Sequence, residues 1–370
     1  MKNIVNLGNV ATYINGYAFK PSDWAEDGTP IIRIQDLTGN SYQMNRFKGI
    51  VDSKYDVNSG DVLISWSASL GVYVWNRGNA VLNQHIFKVI FDKEEVDKDF
   101  FVFQIDNLLK RAANQAHGAT MRHLTKPVFD ALPFYLPDIK TQRLISSKLN
   151  LIVHLIEDHH EQLKKLDELI RSRFIEMFGD LINEPKYPGI KLGSLGVMIT
   201  GGTPSRKHDE YYGGNIPFIS TPCLGSNFIS EKNVQNYLTE AGVKNSATHK
   251  IPPYSLMVGN RVGVGKSSIN TCEMCTNQDI LSFVDIDTSR FDLLFLKKVI
   301  DQYSPYFDEH KRGATIQGVP SKVIKDSMVP DVPLEMQKRY TALVKQSDKS
   351  KYGGTIFLRL LEDICICCNI

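Results

Sequence analysis

An internal repeat constrains this chain more than any other feature, because residues after about 185 follow the pattern of the N-terminal half. The matching segments share turn glycines, short apolar runs and an Asn-Gln pair. They occur in the same order in both halves: Asn6-Leu7-Gly8 with Lys191-Leu192-Gly193, the Gly16 region with Gly201-Gly202-Thr203-Pro204, Pro30-Ile31-Ile32 with Pro217-Phe218-Ile219, Ser59 to Ile64 with Pro253 to Val258, Asn83-Gln84 with Asn277-Gln278, Gly118-Ala119-Thr120 with Gly313-Ala314-Thr315, Val128 with Val323, and Gln142 with Gln337. An ordered series of this kind predicts two similar units.

Each unit is predicted to be a compact, strand-rich domain. Short β-branched and aromatic runs such as Ile31 to Ile34, Val62 to Ile64 and Ile86 to Phe91 are typical of strands separated by turns. Glycines near Gly16 and Gly201 are expected to permit turns with positive φ. Two unrelated αβ units could also share turn glycines and alternating apolar strands, but the order of the matches argues against that alternative. A length of 370 residues also favours more than one core.

The segment between the units has a helical period. From Ile145 the spacing alternates between four and three residues over more than four heptads, with His159 and Arg173 in two of the positions, and this spacing is typical of a coiled coil. The predicted interface residues are Ile145, Leu149, Ile152, Ile156, His159, Leu163, Leu166, Ile170 and Met177. Pro137 precedes the segment and Gly179 follows it. A helix of about 36 residues would be about 54 Å long.

The partner of this helix is predicted to be a second helix. Charged residues, among them Lys148, Glu157 and Lys164, flank the apolar stripe and leave it narrow, which suits one partner helix better than a broad core. Leu334 to Val344 occupies the corresponding place after the second unit. The predicted fold class is therefore α+β, with two similar strand-rich domains separated by long helices that form an antiparallel coiled coil. A long helix packed on one globular core is the alternative.

Composition and charge limit the location more than the function. The formal net charge is +2, which neither requires nor excludes a nucleic-acid partner. The N-terminus lacks the apolar core of a signal peptide and no run of about 18 apolar residues follows, so a cytoplasmic protein without a membrane partner is expected. In that reducing compartment inert burial is the first expectation for the six cysteines. Cys272 and Cys275 form a CxxC pair that lacks the second pair of a zinc site.

The glycine-rich segment Gly259 to Ser267 resembles a phosphate-binding P-loop, but its spacing differs. The motif that ends at Gly265-Lys266-Ser267 requires glycine where Asn260 stands. The segment also lies inside the repeat, opposite Gly71. It is therefore interpreted as a loop whose backbone and lysine could approach a DNA phosphate.

The order of these elements resembles the specificity subunit of type I restriction enzymes, and the resemblance covers nearly the whole chain. In the first half the elements are Leu7-Gly8, Gly16-Tyr17-Ala18-Phe19, Gly28 to Ile34, Gly60 to Ile64, Asn83-Gln84 and Leu136-Pro137 to Gln142. In the second half they are Gly201 to Pro204, Ile216 to Ile219, Val262-Gly263 to Lys266, Asn277-Gln278 and Pro333 to Gln337. Each element is common by itself, and the resemblance depends on their order, which occurs twice.

The resemblance implies a non-catalytic subunit that reads a two-part sequence in double-stranded DNA, one half-site with each target-recognition domain. Modification subunits would methylate adenine with S-adenosylmethionine, and restriction subunits would translocate DNA with ATP and Mg²⁺. This chain itself is expected to bind no cofactor and no metal. Half-sites separated by unread base pairs would lie one or more helical turns, about 34 Å each, apart.

The predicted domain organisation follows the repeat. It comprises target-recognition domain 1 (1–137), a central spacer helix (138–179), a linker (180–191), target-recognition domain 2 (192–332) and a distal spacer helix (333–370). The distal segment departs from the family because Gly353-Gly354 interrupts its register. Two glycines cost about 2 kcal/mol in a helix relative to alanine. The distal helix is therefore expected to be short, broken or altered, with weaker assembly.

Residue types that read bases are candidates for DNA binding, because Arg and Lys suit guanine while Asn and Gln suit adenine. In the first unit they are Lys20, Arg33, Gln35, Trp66, Ser67, Tyr73, Gln84, Arg122 and His123. In the second unit they are Arg206, Lys207, Asn260, Arg261, Lys266, Gln278, Lys311, Arg312 and Gln317. Solvated surface or local capping is the competing interpretation of each residue, and the Asn-Gln pairs could be structural turns.

Two other classes of function remain open on the sequence alone. A metal site at His159-His160, or at Cys272 and Cys275 with His249, would make the chain a nucleic-acid-modifying enzyme in its own right. Otherwise the duplicated domains could bind protein, on a coiled-coil scaffold. No compact pair of carboxylates and no Ser-His-Asp order occurs in both halves, so catalysis is not expected.

Overall fold

The computed structural model describes residues 3–40, 43–115, 125–234, 236–313 and 317–367, and within these ranges it does not describe the side chains of 112–115 and 362–367. The chain forms two compact units. One comprises residues 1–160 with 355–370, and the other comprises 161–354. Both boundaries lie inside long helices, so each of these helices contributes to both units.

The first unit contains most of its strands before its first long helix. In chain order its elements are β1 (Ile4–Asn6), β2 (Thr12–Asn15), β3 (Trp24–Ala25), β4 (Thr29–Ile32), α1 (Ile34–Leu37), β5 (Arg46–Phe47), β6 (Asp56–Val57), β7 (Val62–Ser65), β8 (Gly71–Val74), β9 (Ala80–Leu82), β10 (Ile86–Ile90), α2 (Lys98–Gln115), α3 (Lys126–Asp130), β11 (Pro133–Tyr135) and α4 (Ile139–Phe178). The sheets have the strand orders β2-β10-β7-β8, β3-β5-β4-β9-β6 and β1-β11.

The second unit repeats this plan. Its elements are β12 (Gly179–Asp180), β13 (Glu184–Pro185), β14 (Gly189–Lys191), β15 (Val197–Thr200), β16 (Tyr212–Ile219), β17 (Phe228–Ile229), β18 (Asn236–Leu238), α5 (Glu240–Lys244), β19 (Lys250–Ile251), β20 (Leu256–Gly259), β21 (Ser267–Asn270), β22 (Met274–Thr276), β23 (Ile280–Val284), α6 (Leu293–Glu309), α7 (Ser321–Lys325), β24 (Met328–Pro330) and α8 (Leu334–Cys367). Its main sheets are β15-β23-β20-β21-β17 and β18-β16-β22-β19.

Strand pairing confirms the predicted repeat. In the first unit Ile31 of β4 pairs with Val81 of β9 in parallel. In the second unit Phe218 of β16 pairs with Cys275 of β22, also in parallel. The antiparallel neighbours correspond as well, because β2 pairs with β10 as β15 pairs with β23. The two units therefore share these central strand pairings, although their sheets differ in the strands at the edges.

The central strands β7 and β20 are apolar on both faces because each face meets a different core. In β7, Val62 and Ile64 pack with the aromatic core beneath α2, whereas Leu63 packs with the other sheet. In β20, Leu256 and Val258 belong to the core with α6, and Met257 belongs to a separate cluster. Alternate side chains of a strand point to opposite faces, so burial on both sides requires a continuous apolar run.

A buried glutamine joins each spacer helix to its domain. Gln142 accepts from the Asp97 backbone N–H at 2.9 Å and donates to the Pro137 and Glu95 carbonyls at 2.8 and 3.3 Å. Gln337 makes the corresponding three bonds, to the N–H of Asp292 and to the carbonyls of Val332 and Arg290, at 2.9, 2.9 and 3.1 Å. The repeat therefore extends to individual hydrogen bonds. These two residues are called the glutamine latches below.

The two long helices run antiparallel along part of their length. The Tyr340 hydroxyl donates to the Ile170 carbonyl, and Lys351 forms an ion pair with Asp167. In the first unit the rings of Phe357 and His159 lie 4.8 Å apart. As the contacts move toward the C-terminus of α8, they move toward the N-terminus of α4, which is the order expected for antiparallel helices. All nine predicted interface residues of α4 are partly or fully buried.

The expectation of a broken distal helix is wrong for the described residues, because α8 is one helix of 34 residues. A Cβ at Gly354 would lie 3.4 Å from the Leu163 Cδ2, whereas a Cβ at Gly353 would meet nothing within 4 Å. Contacts with α4 therefore offset the low helix propensity of glycine. No helix among the described residues is long and apolar enough to cross a membrane.

The C-terminal end of α4 differs from the predicted seam because it enters a domain core. Phe174 and Phe178 are fully buried, and Phe178 lies 5.0 Å from Phe295 and 5.7 Å from Tyr340 between ring centroids. The alternative of a helix packed on a globular core thus describes these last turns. Gly179, with φ of +84°, ends the helix as predicted. The segment 180–191, predicted as a linker, contains short strands, and β14 pairs with β24.

Candidate nucleic-acid interface

A cleft of about 790 Å³ lies at one end of the β15-β23-β20 ladder in the second unit. Four residues that the sequence proposed as base readers line it: Asn260, Arg261, Gln278 and Arg312. The remaining lining residues are Thr200, Leu281, Gly318, Val319, Pro320 and Ser321. The fold therefore brings together amide and guanidinium groups from three separate loops.

The loop after β20 carries Asn260 and Arg261 at the turn of a β-hairpin. The Gly259 N–H donates to the Lys266 carbonyl at 2.8 Å, and the Gly265 N–H donates to the Gly259 carbonyl at 2.9 Å. Gly263 and Gly265 have φ of +65° and +75°, which favours glycine. The segment that resembles a P-loop therefore leads from one strand to another, whereas a P-loop leads into a helix.

A second loop closes onto this hairpin. Arg312 and Gly318 exchange backbone hydrogen bonds of 2.8 and 2.9 Å, and the Val319 N–H donates to the Asn260 carbonyl at 2.7 Å. A Cβ at Gly318 would lie 2.7 Å from the Arg261 Cγ, so the close approach requires glycine there. These contacts place Arg312 beside Asn260 and Arg261.

The Asn277-Gln278 pair serves both as a turn and as part of the surface. The Asn277 backbone N–H donates to the Ile219 carbonyl at 3.1 Å, which fixes the turn against β16. The Gln278 Oε1 accepts from the Thr203 hydroxyl at 2.5 Å. Asn277 lines a neighbouring cleft of about 500 Å³ that also contains Thr203 and Arg206. The pair therefore contributes one side chain to each cleft.

Three acceptor oxygens at the base of this region receive no hydrogen bond from the described residues. Asn260 Oδ1, Asn277 Oδ1 and Asp279 Oδ1 are buried and have no hydrogen-bond partner among the described residues. The Arg261 Nη1 lies 3.6 Å from Asp279 Oδ1. Most buried polar groups in folded proteins have a hydrogen-bond partner, so these oxygens are available to accept a hydrogen bond.

The first unit places Trp66 where the second unit places Asn260. The Trp66 N–H donates to the His85 carbonyl at 3.3 Å, and the Asn260 N–H donates to the Asp279 carbonyl at 3.0 Å. The Trp66 indole donates to Asn15 Oδ1 at 3.2 Å and stacks on Phe87 at 5.5 Å. The same corner of the fold is therefore aromatic in one unit and polar in the other.

Glycines at the back of this corner are needed for close packing and not for a turn. The expectation of positive φ at Gly16 and Gly201 is wrong, because neither has it. A Cβ at Gly16 would lie 2.1 Å from the Asn83 carbonyl oxygen, and a Cβ at Gly201 would lie 2.2 Å from that of Asn277. Glycine lets the β2 and β15 ends touch the Asn-Gln turns in the two units.

Three candidates of the first unit lie with the other sheet. The Lys20 N–H bonds to Asp23, and the Arg33 N–H bonds to Asp36 at the start of α1. The Arg33 guanidinium lies 5.2 Å from the Trp24 ring centre, and Gln35 is within α1. The three residues therefore follow or precede strands of the β3-β5-β4-β9-β6 sheet, and the Asn83 N–H, which donates to the Ile32 carbonyl at 3.1 Å, brings Arg33 close to the Asn83-Gln84 turn.

Ser67 and Tyr73 are less available than the sequence suggested. Ser67 is buried, and Tyr73 is half-buried on β8, where burial and then the charge of Asp106 raise its pKa. The Gln84 N–H donates to the Tyr17 carbonyl, which places Gln84 at the Asn-Gln turn. Arg122 and His123 lie outside the described residues.

The remaining candidates of the second unit are on exposed loops. Arg206 and Lys207 follow β15, Lys266 ends the hairpin loop, and Gln317 is exposed close to the cleft. Lys311 forms an ion pair with Asp308 at 2.5 Å. These side chains can reach solvent or phosphate without entering the cleft.

Sequence reasoning missed four residues of this corner: Asn15, His85, Thr200 and Asp279. Asn15 and Thr200 occupy corresponding ladder positions, opposite Phe87 and Leu281. His85 and Asp279 follow the Asn-Gln pairs directly. The available signal was their position next to a repeated motif, since Asn15 and Thr200 directly precede the repeated Gly16 and Gly201.

The metal sites considered from the sequence gain no support from geometry. Within the described ranges no three His, Cys, Asp or Glu side chains form a group that could hold a metal. Burial raises the pKa of the Cys272 and Cys275 thiols, which disfavours the thiolate that binds metals. His159 packs against Phe357.

The chain belongs to the family of type I restriction-modification DNA specificity domains, because the family model matches residues 2–168 and again 187–352. The sequence is similar to the type I restriction enzyme EcoBI specificity subunit of Escherichia coli, with 25% identity over 170 residues, which are 45% of this chain and 35% of that protein. It is also similar to the MjaIX specificity subunit of Methanocaldococcus jannaschii, with 26% identity over 155 residues, or 41% of this chain and 36% of that protein. The matched segment thus spans about a third of each relative.

Solved structures share the fold of the whole chain. A chain from a structure on complex assembly and conformational transition of the type I restriction-modification system has a TM-score of 0.66 at 15% identity, and the match covers 99% of this chain and 96% of that one. The S subunit of a type I system from M. genitalium has a TM-score of 0.55 at 12% identity, covering 100% and 95%. These likenesses support the predicted fold class, with two strand-rich domains and long helices.

Proposed function

We propose that this chain is the DNA sequence-specificity subunit of a type I restriction-modification complex and reads a two-part target, one half with each unit. Modification subunits would methylate adenine where the chain directs them, and restriction subunits would join the same complex. In this proposal the chain supplies recognition only, while S-adenosylmethionine, ATP and Mg²⁺ act in the partners.

The observation that carries the proposal is the cleft of the second unit. It gathers Asn260, Arg261, Gln278 and Arg312, which are the side chains that bind base edges and phosphates. Corresponding strand ends in the first unit present Trp66 and Gln84. Two similar surfaces with different side chains suit two half-sites of different sequence.

Variants of single residues can distinguish contacts with phosphate from contacts with base edges. Arg312 is exposed, and its guanidinium makes no hydrogen bond or ion pair with the described residues, so it is available to a phosphate. The logarithm of the DNA affinity falls linearly with the logarithm of the salt concentration, and each phosphate that a cation neutralises adds about 0.9 to the steepness of that slope. Arg312→Ala should therefore weaken binding to all duplexes alike and make the salt dependence less steep.

The direct experiment is to co-express the chain with its modification subunits and to map methylated adenines across the genome. A two-part motif that depends on the chain, and changes in one half when one unit is exchanged, is the expected result. A methylation map that does not depend on the chain, in the presence of a soluble complex, would overturn the proposal. DNA binding that is absent or insensitive to salt would favour a protein-binding scaffold instead.

A further inference from the structure

The second unit contains a group of buried acceptor atoms that make no hydrogen bond with the described residues. Asp279 Oδ1 and Asn260 Oδ1 are buried without a hydrogen bond among the described residues, as is Asn277 Oδ1. They form one group, because Asn260 N–H donates to the Asp279 carbonyl at 3.0 Å and Asn277 Nδ2 donates to Asp279 Oδ2 at 3.3 Å. Asp279 is the informative member, because an ionised carboxylate only accepts hydrogen bonds.

Arg261 covers this group without satisfying it. Its Nη1 lies 3.6 Å from Asp279 Oδ1, whereas a charge-assisted hydrogen bond is about 2.7 to 2.9 Å long. The Arg261 side chain is 55% exposed, so the pair is also screened by solvent. Arg261 can therefore turn to a phosphate and leave the acceptor to another donor.

The chemistry of the cleft selects the kind of donor. Asp279 lies behind Arg261 and not in the lining of the cleft, whereas the guanidinium groups of Arg261 and Arg312 line the cleft and disfavour a metal cation there. A neutral amino group meets no such repulsion. In the major groove adenine presents its N6 amino group and cytosine its N4 amino group, whereas guanine O6 and thymine O4 are acceptors that a carboxylate repels.

Building on the proposed function, we propose that Asp279, assisted by Asn260, is a specificity-determining residue that accepts a hydrogen bond from an exocyclic amino group. One position of the second half-site must then hold adenine or cytosine on the strand that faces the cleft. DNA binding exchanges the loose contact of Arg261 with Asp279 for a phosphate contact and an amino-group contact.

The requirement differs between the two half-sites. The residue of the first unit that corresponds to Asp279 is His85, and the residue that corresponds to Asn260 is Trp66. His85 Nδ1 and Asn83 Oδ1 are likewise buried without a hydrogen bond among the described residues. A neutral imidazole can donate as well as accept, and an indole donates only. The first half-site therefore has no position that must offer an amino group to a carboxylate.

Base analogues test the proposal on the unaltered chain, within its complex with the modification subunits. Each adenine of the mapped second half-site is replaced in turn by purine, and each cytosine by 2-pyrimidinone, since both analogues lack the amino group. We expect binding to weaken by about tenfold to a hundredfold at one position. The same small loss at every position, or no adenine or cytosine there, would overturn the inference while the two-part motif upholds the proposed function.

A matched pair of variants assigns the effect to Asp279. Asp279→Asn has the same shape but adds a donor, so guanine or thymine should become acceptable at that position, and only the second half of the motif should change. His85→Asn at the corresponding position is the control and should leave the second half unchanged. Retention of the original second half by a folded Asp279→Asn complex would overturn the inference. If wild type gives no two-part motif, the proposed function fails first and this inference with it.

Discussion

The glutamine latches are alike in the two units, whereas the side chains at the strand ends that form the cleft of the second unit differ between them. Gln142 and Gln337 make three equivalent hydrogen bonds with backbone groups at corresponding positions of the two units. At the strand ends Trp66 and His85 stand in the first unit where Asn260 and Asp279 stand in the second. The shared architecture needs the first set, whereas a difference in the second set lets one fold present two surfaces.

The largest loss of stability is expected at the C-terminal end of α4, which enters a domain core, and a smaller loss is expected in its seam with α8. Phe178→Ala should lower the free energy of unfolding by about 3 to 5 kcal/mol, because it opens a cavity between Phe295 and Tyr340. Ile152→Ala, at a partly buried position of the seam, should cost clearly less. Urea denaturation of both variants measures the difference. Equal losses would contradict the inference that the domain core holds α4 more strongly than the seam does.

Substitution of either glutamine latch should lower the free energy of unfolding by a similar amount. Gln142→Leu and Gln337→Leu each leave the N–H of an aspartate and two carbonyl groups without their partner, which should cost about 1 to 3 kcal/mol. Urea denaturation is the measurement, with exposed Lys148→Ala as the control. A loss in only one of the two variants would show that the latches are not equivalent.

A buried lysine distinguishes the pH dependence of the second unit. Lys297 is 4% exposed in α6, with Nζ 2.9 and 2.8 Å from the Asp301 oxygens, and burial lowers its pKa despite this partner. The unfolded chain therefore binds more protons between the lowered pKa and the ordinary value near 10.5, so this group makes stability rise with pH there.

Lys297→Val removes that contribution and copies the first unit, where Val102 stands at the corresponding place after its capping aspartate. The difference in unfolding free energy between wild type and variant, measured from pH 7 to pH 10, should shift in favour of wild type as pH rises. A difference that does not change with pH would refute the role of the burial of Lys297.

The smallest effect concerns the glycine pair of α8, which replaces Asp158-His159 of α4 in the repeat. Gly353→Ala should stabilise the chain by about 0.5 to 1 kcal/mol, because alanine favours the helix and a Cβ there meets nothing within 4 Å. Gly354→Ala should gain no more than this, since its Cβ would contact Leu163. The thermal melting midpoints of the two variants check this order, and destabilisation by Gly353→Ala would contradict it.

Much of the architecture was readable because periodicity and repetition are local in sequence. The alternating four-three spacing from Ile145 predicted the helix, and Gly179 correctly predicted its end. The order of the matching segments predicted two similar units, which the shared central strand pairings confirmed. The break at Gly353-Gly354 was wrong because helix propensity is a weak local term beside packing against α4.

The candidate site was only partly readable. Residue type nominated Asn260, Arg261, Gln278 and Arg312, but equally nominated Lys20 and Arg33, which lie with another sheet. Asp279 could not be distinguished from other aspartates, because its unpaired oxygen depends on the hairpin loop and the turn that meet around it.

The sequence by itself determined the class of fold, the duplication, the position of the long helices and the family, because these depend on patterns that each segment carries. Only the tertiary structure decided which loops meet at the cleft, why Gly16 and Gly201 are glycines, and that Phe174 and Phe178 leave the seam for a core. Those features depend on distances between residues far apart in the chain, which close packing fixes and no local pattern records.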